Sequence, residues 1–239
     1  MKEDFERVQE LTQYRLKERR QKRAKQLWTH IALCSAVMVI LLTVSVVAMG
    51  VAAGEDVFLV KEKFTKYIET PPAYSEQFLP INEFSRPGTV LEEVNAIVIH
   101  YTGNPGTTAQ QNRSYFENLA VTQETKASSH FIVGLSGEII QCVPLEEISY
   151  ASNERNMDTI AIECCIDNEA GRFNEKTYES LVELTAWLVG QYDLTMDDVI
   201  RHFDVSGKAC PKYFVEHESA WEDFKMDVTK HIENYGTDK

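Results

Sequence analysis

Ala96-Ile97-Val98-Ile99-His100-Tyr101-Thr102-Gly103 carries the strongest signals in this sequence for both a fold and a site. Its four consecutive apolar residues, three of them β-branched, predict a short buried strand. The polar residues and the glycine that follow predict that the strand ends there. A strand end fixes the position of a side chain while the adjoining loop leaves it accessible. His100 is therefore a candidate functional residue.

Further strand and helix patterns alternate along the chain after this stretch. Apolar strands are predicted at 159–165 and at 199–201, and the second delivers His202 to a loop. Residues 130–133 and 138–141 flank a turn at Ser136-Gly137 and predict a β-hairpin. Three helices are predicted. The first runs from Thr107 or Thr108 to about Leu119. The second is capped by Asn174 and has Leu181, Leu184 and Leu188 on one face, and the third has Trp221, Phe224 and Val228 on one face. Strands and helices that alternate around one sheet indicate a single mixed α/β domain.

The net charge of the chain argues against one class of function, nucleic-acid binding. The chain has 239 residues and a formal net charge of −13, which argues against nucleic acid as a partner because phosphate binding needs a basic excess. The charge is uneven, because residues 1–26 hold nine Lys/Arg against five Asp/Glu. A basic head on an acidic body indicates that the two parts face different surroundings.

The N-terminal region predicts a membrane anchor. Residues 29–51 carry no formal charge and, as a helix, would span about 30 Å, the thickness of the hydrocarbon core. Basic residues crowd the N-terminal side, so the positive-inside rule places residues 1–28 in the cytoplasm and the body outside the cell membrane. A cleaved signal peptide is the alternative, with a candidate site at 51–53. The apolar run exceeds the usual length of roughly 7–15 residues, which favours a single-pass signal anchor.

The region between anchor and body is predicted to be an extracellular stalk, residues 52–90. Within it, Phe64, Tyr67 and Ile68 fit a short amphipathic helix that ends at Thr70-Pro71-Pro72. A turn at Arg86-Pro87-Gly88 leads into a folded domain predicted to span residues 91–235.

Three residues suggest a metal site: His100, His202 and Cys210. Each histidine follows a β-branched apolar run, and Cys210 lies eight residues after His202. Two imidazoles and one thiolate suit zinc, and three protein ligands leave a fourth position open, as in catalytic sites. A thiol hydrolase with Cys210 as nucleophile and His202 as base is an alternative from the same residues.

Four segments carry a resemblance to a known family. They are residues 97–106, 128–133, 160–164 and 202–211, and they occur in family order with family-like separations. In these segments the chain resembles the N-acetylmuramoyl-L-alanine amidase family 2, which includes phage lysozyme-type amidases, bacterial cell-wall amidases and peptidoglycan recognition proteins. The resemblance implies a central mixed β-sheet flanked by helices. It also implies zinc-dependent cleavage of the bond between N-acetylmuramic acid and L-alanine in peptidoglycan.

The resemblance also implies roles for individual residues. His100, His202 and Cys210 match the zinc ligands, Glu163 matches the acidic residue beside the attacking water, and Lys208 matches a lysine that faces the reacting carbonyl. Glu163 would then act as general base and acid. Three further residues are candidates for substrate binding: Tyr101, Asn104 and Tyr150.

Several points stay open at this stage. Many family members carry Trp-His-Ala-Gly where this chain has Ser149-Tyr150-Ala151-Ser152, so a tyrosine replaces the usual histidine. A non-catalytic peptidoglycan-binding module of the same fold is the alternative function, although such modules typically lack the cysteine ligand. The oligomeric state is not predicted. Cys142, Cys164 and Cys165 are either buried thiols or include a bridge, and His130 is expected to be structural.

Overall fold

The computed structural model describes residues 63–239, and a six-stranded mixed sheet lies at the centre of this part of the chain. The strand order is β2-β5-β4-β6-β3-β7. All neighbouring pairs are parallel except β4 and β5, which form the predicted antiparallel hairpin. The strands are β1 (Lys66–Tyr67), β2 (Ser75–Glu76), β3 (Ala96–Tyr101), β4 (Phe131–Val133), β5 (Ile139–Gln141), β6 (Thr159–Cys164), β7 (Val199–Arg201) and β8 (Thr237–Asp238).

Five α-helices accompany these strands in the described residues. They are α1 (Ala109–Thr122), α2 (Glu175–Gln191), α3 (His202–Ser206), α4 (Lys212–Glu216) and α5 (Glu218–Tyr235). The helix α1 begins where the sequence predicts it, because Thr108 and Gln111 form a reciprocal capping box. Asn174 caps α2 by accepting a hydrogen bond from the Thr177 N–H at 3.0 Å. The predicted mixed α/β fold is confirmed.

The sheet divides the core into two layers because side chains alternate along each strand. Ile97, Ile99 and Ile162 point to one face, where they share a core with residues of α2 and α5 such as Phe224. The opposite face, with Ile132 of β4, is covered by α1. On β3 and β6 that second face also holds His100 and Glu163, which stand opposite each other in the register. The same alternation places Cys164 in the first core and Cys165 in the second, as expected.

The predicted stalk differs from the structure from residue 63 onward. Residues 66–67 form β1 and pair with β8 at the C-terminal end, so the predicted helix through Tyr67 is wrong. Gly190 of α2 permits this contact, since a Cβ there would lie 2.8 Å from the Cβ of Tyr67. Residues 75–76 add the edge strand β2, and Leu79 is fully buried. The domain therefore begins well before residue 91.

The predicted anchor at 29–51, the cytoplasmic segment 1–28 and the first part of the predicted stalk lie outside the described residues. Within residues 63–239, every helix is too short or too polar to traverse a bilayer. The cysteines of this part, Cys142, Cys164, Cys165 and Cys210, are all buried free thiols.

His130 has a structural role. Its Nδ1 accepts a hydrogen bond from the Ala161 N–H at 3.0 Å, and its Nε2 lies 2.9 Å from the carbonyl oxygen of Glu147. The proton therefore lies on Nε2, and the neutral ring joins β6 to the loop that holds Glu147. Burial lowers the pKa of His130 to about 4.

This depressed pKa predicts a loss of stability in acid. Between pH 6.5 and about 4 the unfolded chain binds a proton at His130 that the folded chain excludes, so the free energy of unfolding falls as the pH falls. The full loss is about 3 kcal/mol, and it is absent above pH 6.5. Denaturant unfolding at several pH values measures it. A His130→Gln variant should show a correspondingly weaker pH dependence; equal slopes in the two proteins would contradict the assignment.

Candidate metal centre

The candidate site lies at the carboxyl ends of three adjacent parallel strands. His100 lies near the end of β3, Glu163 near the end of β6, and His202 follows directly after β7. Because β3 pairs with both β6 and β7, the topology brings these residues to one edge of the sheet. Cys210 arrives from the loop after α3, and its carbonyl oxygen accepts a hydrogen bond from the Phe203 N–H at 2.9 Å. The loop thus folds back onto the strand end that holds His202.

The three predicted ligands converge. One donor atom from each of His100, His202 and Cys210 lies within 4.8 Å of the others, and all three residues are buried. The Sγ atom of Cys210 is 3.9 Å from Nδ1 of His100, and the two imidazole centroids are 4.7 Å apart. Two nitrogens and a sulfur at this separation suit a tetrahedral zinc ion.

The electrostatics of the three donors also suit a cation. Burial, the neighbouring His202 and Lys208 hold the pKa of His100 well below its usual value. Burial and Lys208 likewise lower the pKa of His202. Both rings are therefore neutral near pH 7, as metal ligation requires. Burial and Glu163 raise the pKa of the Cys210 thiol to about 12, so a thiolate there needs a positive charge beside it.

Glu163 is the acidic group of the site. Its Oε2 atom is shielded from solvent and has no hydrogen-bond partner in the described part of the chain. Burial raises the pKa of Glu163 to about 7, and the positive charge of Lys208 opposes the rise. A carboxyl group that titrates near neutrality can both accept and donate a proton during a reaction.

A cleft of about 530 Å³ opens in front of these groups. Seven of the predicted site residues line it, and so do residues that were not predicted as site residues, Lys126 and Asn153 among them. The cleft is lined by His100, Tyr101, Phe116, Thr125, Lys126, Ala127, Ser128, Tyr150, Ala151, Asn153, Asn156, Glu163, His202, Lys208 and Cys210.

The predicted substrate contacts divide into two groups. Tyr101 and Tyr150 line the cleft, and Lys126 lies over the Tyr150 ring with its Nζ 5.3 Å from the centroid. Asn104 is exposed and is not among the residues that line the cleft. Its carbonyl oxygen accepts a hydrogen bond from the Thr107 hydroxyl at 2.7 Å, so Asn104 shapes the loop before α1.

A buried arginine positions His202. The guanidinium of Arg201 pairs with Asp204 at 2.9 Å and with Glu218 of α5 at 2.7 Å. The Arg201 N–H also donates to Asp204 at 2.8 Å, which starts α3 at His202. The ion pairs tie the ligand-bearing turn to the C-terminal helix. Sequence patterns did not single out this residue because its partner on α5 lies 17 positions away.

Two relatives are similar to this chain in sequence. The amidase CwlL of Bacillus licheniformis is 30% identical over 172 residues, covering 66% of this chain and 47% of the relative. The amidase BlyA of Bacillus subtilis is 31% identical over 176 residues, covering 65% of this chain and 46% of the relative. Both are named N-acetylmuramoyl-L-alanine amidases. The chain spans about half the length of these curated relatives.

Solved structures and a family model agree with the fold. A mutant endolysin from Bacillus subtilis superposes with a TM-score of 0.55 at 28% identity, covering 65% of this chain and 98% of that structure. The catalytic domain of XlyA gives a TM-score of 0.55 at 27% identity, covering 66% and 99% respectively. The family model described as N-acetylmuramoyl-L-alanine amidase matches residues 91–213. By fold, by sequence and by this match, the chain belongs to the N-acetylmuramoyl-L-alanine amidase family.

Proposed function

We propose that this protein hydrolyses the amide bond between N-acetylmuramic acid and L-alanine in peptidoglycan, with zinc held by His100, His202 and Cys210. The observation that carries the proposal is the juxtaposition of the three donors with Glu163, whose unpartnered oxygen lies in the same cleft. Membership of the amidase family supports the choice of bond. When bound, zinc would lower the pKa of a water molecule and polarise the amide carbonyl.

Glu163 would manage the proton. In its ionised form it accepts a proton from the attacking water, and it then delivers that proton to the nitrogen of L-alanine as the carbon–nitrogen bond breaks. The pKa of about 7 suits both steps, because neither form of the carboxyl group is strongly favoured at neutral pH. No other group in the described residues forms a hydrogen bond with the shielded Oε2 atom. This oxygen would therefore be free to accept a hydrogen bond from the attacking water.

Lys208 would stabilise the charge that develops on the carbonyl oxygen. Its side chain is exposed, lines the cleft and makes no ion pair among residues 63–239. The Cys210 N–H donates to the Lys208 carbonyl oxygen at 2.6 Å, which ties the Lys208 backbone to the metal ligand. A positive charge held in place before reaction lowers the energy of an oxyanion without reorganisation.

Replacing Lys208 with methionine should lower kcat by about 10²-fold, the effect typical of one lost oxyanion donor. Zinc content and KM should change little, because the ammonium group acts mainly in the transition state. Steady-state kinetics on a soluble muramyl peptide measures both constants. Lys212→Met is the matched control: Lys212 is also two positions from Cys210, but its Nζ donates to the Glu169 carbonyl outside the cleft. Equal kcat values for the two variants would remove Lys208 from the mechanism.

Product analysis tests the activity as a whole. Purified protein is incubated with peptidoglycan, with and without a zinc chelator, and the products are analysed by mass spectrometry. We expect stem peptides with free L-alanine amino termini, lost with chelator and restored by added zinc. Activity that survives the chelator would indicate a thiol hydrolase. Zinc-loaded protein that binds the polymer without cutting it would indicate a recognition module.

We also propose that residues 29–51 anchor the protein in the cell membrane, with residues 1–28 in the cytoplasm and the domain outside. The support is the uncharged length of the segment and the basic residues before it. After alkaline washing the full chain should stay in the membrane fraction, whereas a chain lacking residues 29–51 should be soluble. A mass that corresponds to cleavage near residues 51–53 would instead identify a signal peptide.

A further inference from the structure

One short segment contacts both histidines of the metal centre. The Oγ atom of Ser152 lies 3.3 Å from Nε2 of His100. The Oδ1 atom of Asn153 lies 3.3 Å from Nε2 of His202. Consecutive residues therefore reach the same ring nitrogen, Nε2, of two ligands that come from different strands.

These contacts bear on which nitrogen faces the metal. Nδ1 of His100 faces the Cys210 sulfur, whereas its Nε2 faces Ser152. The Asn153 carbonyl oxygen can only accept a hydrogen bond, so it favours a proton on Nε2 of His202. Each neutral ring has one proton, and a proton on Nε2 leaves the Nδ1 lone pair free.

Hydrogen bonds within residues 151–159 hold Ser152 and Asn153 in place. The Asn156 side-chain oxygen accepts hydrogen bonds from the Ala151 N–H at 3.0 Å and the Ser152 N–H at 2.6 Å. Ser152 is buried, and Asn153 adopts a left-handed conformation with a φ of 53°, which asparagine tolerates better than most residues. The Thr159 hydroxyl donates to the Arg155 carbonyl at 2.6 Å and joins the segment to β6.

We infer that Ser152 and Asn153 are positioning residues for the metal: both hold the ring orientation of the histidine they contact, and Asn153 also favours the Nε2–H tautomer of His202. The inference rests on the proposed function, since it takes the two histidines as zinc ligands. Hydrogen bonds from a ligand's second nitrogen orient the ring and raise its basicity.

Zinc affinity of the full-length protein tests the inference without any assay of turnover. Competition with a chromophoric chelator should show zinc binding that is about 10- to 100-fold weaker in Ser152→Ala and in Asn153→Gly. Glycine suits the left-handed backbone, so the second change removes only the side chain. Asn153→Asp, which keeps an acceptor in place, should retain wild-type affinity. Ser136→Ala, a change of the same type in the distant β4–β5 turn, is the control.

Nitrogen-15 NMR of the histidine rings gives a second readout. In the zinc-free wild-type protein we expect the proton of His202 on Nε2, and in zinc-free Asn153→Gly we expect a mixture of tautomers in that ring. Unchanged zinc affinity in both variants, or a proton on Nδ1 of His202 in the zinc-free wild type, would overturn the inference. A wild-type protein that binds no zinc would instead overturn the proposed function, so the two failures are distinct.

Discussion

Replacing Glu163 with glutamine should lower kcat by about 10³-fold and leave the zinc content unchanged. Glutamine keeps the size of the side chain but can neither accept the water proton nor deliver it to the leaving nitrogen. Its amide also fills the space of a carboxyl group whose Oε2 atom has no other partner. Burial in the folded protein already favours a neutral group here, as the raised pKa shows, so the variant should fold at least as stably as the wild type.

The measurement is kcat on a soluble muramyl peptide, together with zinc content by elemental analysis and a thermal unfolding curve. Glu183→Gln is the matched control, because Glu183 is exposed on α2, which packs against the opposite face of the sheet. It should retain full activity. A zinc-loaded Glu163→Gln protein with wild-type kcat would show that another group moves the proton.

Replacing Cys210 with alanine should abolish both zinc retention and turnover. The thiolate is the only anionic member of the ligand set, and two neutral imidazoles form a much weaker site. We expect zinc affinity to fall by more than the roughly 10- to 100-fold effect of losing an outer partner. The backbone bonds of Cys210 to Phe203 and Lys208 do not involve its side chain, so the loop should keep its course.

Zinc content after dialysis and activity with and without added zinc measure this effect. Cys142→Ala is the control, since Cys142 is another buried free thiol but is not among the residues that line the cleft. It should bind zinc normally. If Cys210→Ala is inactive while the wild-type protein works fully in a strong chelator, Cys210 is a nucleophile and not a ligand. Retention of zinc by Cys210→Ala would remove it from the ligand set.

Local features of the fold were predictable where neighbours in sequence supply the interactions. The start of helix α1 was predictable because its capping residues, Thr108 and Gln111, lie only three positions apart. The hairpin of β4 and β5 follows from one turn, and the apolar run of β3 predicts burial wherever that strand sits in the sheet. The stalk prediction failed for the opposite reason. Tyr67 finds its strand partner at Thr237, 170 positions away, and no local pattern reports such a pairing.

The sequence by itself determined the kinds of residue available for chemistry: two histidines after apolar strands, a cysteine, a glutamate inside a strand and a nearby lysine. Local strand patterns and side-chain chemistry singled out the two histidines and the cysteine, whereas family resemblance singled out the glutamate and the lysine and supplied their roles. Only the tertiary structure decided that three donors lie within 4.8 Å of one another. It also decided that the pKa of Glu163 rises to about 7 and that Ser152 and Asn153 contact the two histidines. These properties depend on burial and on groups from distant parts of the chain, which meet only when the sheet has formed.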